Sequence, residues 1–264
     1  MKKEFKKMKR KRIAKWSMST AACFVIAGIV SVNLIPSAAY AFRDVPVLRS
    51  IVKVVTFGKY EHNENGYHAK INTAKIEGLL DKKLEDKLNA EFKENANTLI
   101  AAYEKDVKEL KEEFGDDVPI HMGVESDYTV RTDNDSVLAL DVYIFNVAGS
   151  SSTRHTFYNI NKKTSELIEL KDLFKKGADY VTPISEYVKK QMEYENKTND
   201  GLFWVEDDEF TEGFKKIKAD QNFYINDKGE IVICFDKYEV AAGAQGCPEF
   251  VIPQSVISDI FVGI

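Results

Sequence analysis

The chain has 264 residues, with 37 Lys and Arg against 42 Asp and Glu, a net charge of −5 that conceals two opposed parts. Residues 1–41 hold nine bases and one acid, Glu4, for +8, and the remainder carries −13. A basic flank this short beside an apolar run is a topology signal rather than a nucleic-acid arm, so no nucleic-acid partner is expected.

Residues 1–15 form the basic segment, which the positive-inside bias keeps in the cytoplasm. Residues 16–35 carry no formal charge, and at about 1.5 Å per helical residue they span roughly 30 Å, the hydrocarbon thickness of a bilayer. A transmembrane helix is therefore expected over 16–36, with Pro36 preventing its continuation. The next stretch, 37–46, reads SAAYAFRDVP, in which Ala39 and Ala41 stand two apart as the small-residue pockets of a leader peptidase want them. Length favours a retained anchor and SAAYA a cleaved leader, and on residue physics both readings stand.

An extracellular domain is expected over 47–264, long enough for one good core or two small ones. Residues 47–60 are rich in β-branched side chains and lead through HNENG at 62–66 into a second strand, an opening hairpin. Leu84, Leu88, Phe92, Ala96, Leu99, Tyr103, Val107, Leu110 and Phe114 then recur at steps of three or four, predicting one long amphipathic helix over about 81–114, closed by Gly115 and covering the strands that follow. From Ile120 a period of two returns in three strands with turns at 132–135, 149–152 and 161–164. A second helix is predicted over about 178–194, then strands at NFYI, EIVICFDKYEV and PEFVIP, and a short closing helix in QSVISDIF. Strands and helices segregate, so the expected class is α+β: an antiparallel sheet packed by one long and one shorter amphipathic helix, preceded by the single transmembrane helix.

Marked chemistry is sparse. His62, His68, His121 and His155 show no ligand spacing and read as exposed or hairpin residues, so no metal is expected. No nucleotide, zinc-protease or serine-hydrolase pattern occurs, and neither a catalytic residue nor a cofactor is expected. Cys234 and Cys247 allow an external disulfide, while Cys234 equally suits a small buried position. The segment 235–253, FDKYEVAAGAQGCPEFVIP, joins two strands through a small-residue loop whose Gly243 and Gly246 permit positive φ or the close approach of another backbone. It reads either as a wide hairpin turn or as a ligand-facing loop, and 147–155, VAGSSSTRH, carries the same ambiguity.

That segment, together with DLF at 172–174, DQNFYIND at 220–227, IPSAAYAFRDVPVLRSIVKVVTF and the closing SVISDIFVGI, resembles the lysozyme-sensing anti-sigma factors of the sigma-V system of Gram-positive bacteria. A similar external module also accompanies peptidoglycan deacetylases. The resemblance implies a single-pass cell-membrane protein with a cytoplasmic N-terminus that holds an extracytoplasmic-function sigma factor and an external domain that binds lysozyme. Binding would expose a signal-peptidase site beside the membrane, with Ala39 and Ala41 in the protease pockets and Phe42 opening the released domain, after which a site-2 protease cuts within the membrane. It also implies that Ser150 and Ser151 in one loop, and Ala242, Gly243 and Ala244 in another, reach the lysozyme cleft. Relatives place bulkier residues such as Pro and Tyr around that glycine, so a smaller contact is expected here. They also carry several tens of cytoplasmic residues where fifteen precede Trp16, which opens a second reading, a lysozyme-binding decoy or inhibitor lacking a sigma-binding segment. A cell-wall-modifying enzyme or accessory domain is a third.

Overall fold

A computed structural model describes residues 52–115, 120–209 and 211–264. The expected membrane helix and the cleavage-site residues Ala39, Ala41 and Phe42 lie outside them. Among the described residues no helix is long and apolar enough to cross a membrane.

The opening hairpin is β1 (Lys53–Glu64) and β2 (Tyr67–Glu77), paired antiparallel around Asn65 and Gly66, which both take positive φ. A bulge between Thr56 and Gly58 interrupts β1. The 33-residue helix α1 (Lys82–Phe114) follows, within a residue of the predicted bounds. The Asp81 side chain caps it by accepting from the backbone N–H groups of Lys83 and Leu84, and Gly115 ends it at φ +82°. Leu88, Phe92, Leu99, Tyr103, Val107 and Leu110 form its buried stripe, as the period of 3.6 requires.

One expectation changes here, the purely antiparallel sheet. α1 packs against β2, the strand that precedes it. The Asn89 side chain fixes that packing by accepting from Ile76 N and donating to Ile76 O, both at 2.8 Å. The sheet is mixed, because β3 (Met122–Asp133) pairs parallel to β2, from Tyr67↔Met122 to Ile71↔Ser126. The physical reason is the crossover: at about 1.5 Å per residue α1 runs roughly 50 Å and carries the chain back to the end where β2 began, making a β-helix-β unit.

Next come β4 (Val137–Ala148), β5 (Ser151–Asn161) and the short β6 (Glu166–Leu167), so that β1 to β6 are hydrogen-bonded in chain order. A 3-10 turn (Leu170–Leu173) leads to α2 (Val181–Thr198), then β7 (Phe223–Ile225), β8 (Ile231–Cys234), β9 (Glu249–Ile252) and the one-turn α3 (Gln254–Ile257). β7, β8 and β9 form a separate antiparallel sheet. The class is α+β.

The described chain divides into two compact units. The first runs to Asp127 and adds Phe145–Ser151; it contains the hairpin, α1 and the near halves of the strand pair β3 and β4. The second combines Tyr128–Ile144 with Ser152–Ile264. Its core gathers Val137 and Ala139 of β4, Ile184, Val188 and Met192 of α2, Ile231 and Ile233 of β8, and Phe250 and Ile252 of β9. Ile184, Val188 and Met192 have no exposed surface, as expected for one face of an amphipathic helix driven onto a sheet.

Candidate functional site

The glycine loop connects β8 to β9, and its feet are joined by Phe235 N donating to Pro248 O at 3.0 Å. It starts with a tight turn. Glu239 N donates to Asp236 O at 3.1 Å, and Asp236 N donates to the Glu239 carboxylate at 2.9 Å, so one acidic side chain closes the turn that its own backbone makes. Lys218 Nζ donates to the other oxygen of Glu239 at 2.8 Å, and Lys237 N donates to Thr153 O of β5 at 3.2 Å. Within this clamp Tyr238 adopts φ +69° and leaves 45% of its surface exposed.

The second half of the loop is pinned to the chain after α2. Ala242 N donates to Leu202 O at 3.0 Å and Leu202 N to Gln245 Oε1 at 3.2 Å, around a 3-10 turn (Gly243–Gln245). Of the two glycines, Gly246 supplies positive φ, at +71°. Gly243 answers a different need, and here the expectation of an approaching backbone is corrected. A Cβ at 243 would lie 2.4 Å from Cε1, Cζ and Oη of Tyr238, so the glycine leaves room for an aromatic side chain. Ala242 is half-buried and Ala244 exposed beside it.

Ser150 and Ser151 belong to the first unit and Ala242, Gly243 and Ala244 to the second. Ser150 is exposed and its carbonyl accepts from Ala148 N at 2.9 Å, a tight turn opened by Gly149 at φ +76°.

Behind the glycine loop lies a polar and aromatic network that sequence reasoning missed. His155 stands on β5 beside β4, a hairpin residue as expected, and is mostly buried: its Nδ1 lies 2.9 Å from Oδ1 of Asp141, a carboxylate only 3% exposed, whose other oxygen accepts from Arg131 Nε at 3.1 Å. Arg131 also donates to Glu249, the first residue of β9, and its guanidinium lies 5.2 Å from the centre of the Tyr224 ring. Tyr224 Oη donates to Glu249 at 3.1 Å, and its ring stacks on Phe157, which stacks in turn on His155. His155 N donates to the Asp236 carboxylate at 2.9 Å. The network therefore holds both feet of the loop, one through His155 and Asp236 and the other through Arg131 and Glu249. Burial would lower the basicity of His155; Asp141 and then Cys247 outweigh it and push the imidazole up to about 10. Burial raises the Asp236 carboxyl. The period-two pattern placed these residues on strands but carried no sign of which would meet.

Cys234 is buried, Cys247 is half-buried, and both are free thiols. Among the described residues no group of three or more His, Cys, Asp or Glu is arranged to hold a metal ion. The acidic run 206–209 is exposed, with Asp207 paired to Lys215 at 2.6 Å. In the first unit, Tyr60, His62, Glu64, Tyr103 and Lys111 line a groove between β1 and α1. Its polar groups engage one another: His62 Nδ1 lies 2.7 Å from Tyr103 Oη, and Lys111 Nζ donates to Glu64 at 3.0 Å.

Two family models match separate stretches, "Deacetylase PdaC" over residues 60–150 and "Protein of unknown function (DUF3298)" over residues 171–255. The fold is similar to the crystal structure of a DUF3298 family member from Bacteroides fragilis, at a TM-score of 0.61 and 16% identity over 81% of this chain and 95% of that one. A DUF3298 family protein from Pseudomonas aeruginosa is similar at a TM-score of 0.50, with 16% identity over 81% of this chain and 94% of that one. The anti-sigma-V factor RsiV of Bacillus subtilis is 34% identical over 256 residues, which span 97% of this chain and 87% of that protein. A likeness of that extent, running through both units, makes this chain a member of the anti-sigma-V factor family.

Proposed function

We propose that this chain is a membrane-anchored anti-sigma factor whose external part captures lysozyme and thereby governs its own proteolysis. In this reading residues 16–36 cross the membrane and the external module binds lysozyme. A signal-peptidase cut between Ala41 and Phe42 then leads to a site-2 protease cut within the membrane, which frees an extracytoplasmic-function sigma factor. The observation that carries the reading is the 34% identity to an anti-sigma-V factor, sustained over 97% of the chain rather than confined to one motif.

Physical chemistry supports the partner. The residues after Ala41 carry −13, and a basic protein such as an animal-type lysozyme is drawn to that field, which speeds encounter more than it sets final affinity. The glycine loop suits capture because its backbone is fixed at both feet, so little ordering cost remains for binding.

The test is to mix the full chain in detergent micelles with an animal-type lysozyme at physiological salt and follow association and muramidase activity. Association without turnover of peptidoglycan by the chain is expected. Peptidoglycan turnover without association would replace the sensor with a cell-wall enzyme.

A further inference from the structure

We propose that Tyr238 is a pre-organised aromatic anchor through which the loop grips its protein partner, with Gly243 kept small so that the ring can lie across it. This deepens the lysozyme-capture reading above and rests on it. Tyr238 combines two features that suit a contact residue. Its backbone sits at φ +69°, a region that bulky L residues avoid, and 45% of its surface stays exposed where a partner can reach it. Glycine or asparagine would hold the same turn with less strain.

The surrounding structure over-determines the ring's position. Asp236 and Glu239 close the turn through two hydrogen bonds, Lys218 holds Glu239 from outside, and Lys237 N is tied to Thr153 O. The Lys237 ammonium lies 5.3 Å from the ring centre, on its face. On the loop side the ring comes so near Gly243 that a single methyl there would stand 2.4 Å from three of its atoms. A tyrosine on a rigid backbone offers a large contact area with few torsions to freeze, which is why tyrosine recurs among the residues that dominate protein interfaces.

The experiment uses the full chain in detergent micelles, an animal-type lysozyme as probe, and the variants Tyr238→Asn, Tyr238→Phe and Gly243→Ala. Tyr238→Asn is expected to weaken binding about 30-fold, the loss typical of truncating a dominant interface residue. Its thermal unfolding temperature should stay the same or rise, because asparagine tolerates the left-handed backbone. Tyr238→Phe should keep most of the affinity, and Gly243→Ala should lose part of it by displacing the ring. Wild-type affinity in Tyr238→Asn overturns the anchor and leaves lysozyme capture standing. A fall in its unfolding temperature together with its binding assigns the tyrosine a structural role and also overturns the anchor. Failure of the unmodified chain to bind lysozyme removes both readings.

Discussion

The Nδ1 atom of His155 and the Oδ1 atom of Asp141 meet at 2.9 Å on neighbouring strands, and through them the glycine loop is fastened to β4 and β5. That pair makes the second unit pH-dependent. His155 rises from 6.5 to about 10 on folding, so the folded protein holds the proton more tightly than the unfolded chain does. The stabilisation is complete below pH 6.5 and is lost as pH climbs towards about 10. Replacing His155 by Asn should cost about 2 kcal/mol below that window and much less above it. Urea unfolding at both ends of the window checks this, and an equal loss at both would contradict it.

Asp106 behaves in the opposite sense. It lies on the buried face of α1 with 8% of its surface exposed, and burial, helped by Glu109, pushes its carboxyl from 3.8 up to about 6. The unfolded chain gives up this proton more readily than the folded one, so stability falls as pH rises from about 4 through about 6. Asp106→Asn should stabilise the chain by about 1 kcal/mol at neutral pH and by almost nothing at pH 4. Thermal unfolding across that range reads the change in slope.

Asn89 joins α1 to β2 through two backbone hydrogen bonds to Ile76. Asn89→Ala leaves the Ile76 amide and carbonyl without that partner and should destabilise by about 1–3 kcal/mol. Asn89→Asp keeps the acceptor and loses the donor, so it should fall between the two. Chemical denaturation of the three proteins orders them.

The thiols should differ in the native state. Cys234 is buried, and burial raises its thiol, whereas Cys247 is partly accessible. Mass spectrometry without reductant should find both free, and a brief native treatment with iodoacetamide should label Cys247 and spare Cys234. A disulfide between them, or rapid labelling of Cys234, would contradict this arrangement.

Local order was legible wherever a period ran long enough. The stripe from Leu88 to Leu110 placed α1 to within a residue, and Gly115 ended it as a glycine past a helix should. The second helix shifted from about 178–194 to Val181–Thr198; at its start Asp179 accepts from Thr182 N, and its last turn continues through Thr198, whose hydroxyl bonds Tyr194 O. Strand direction was not legible. Alternating residues in β2 and β3 look alike whether the chain returns parallel or antiparallel, and only the length and course of α1 decide. The candidate site was half legible. Gly243 stood out, yet its reason is a ring five positions earlier, and His155 gave no sign that Asp141, fourteen positions before it, would hold it.

The central claim is tested most directly by following the peptide bond between Ala41 and Phe42 in cells, using a tag at each end of the chain and N-terminal sequencing of any released fragment. A fragment beginning at Phe42 should appear within minutes of adding lysozyme and be absent before it. Its appearance without lysozyme, or an intact chain after lysozyme has bound, would contradict the account.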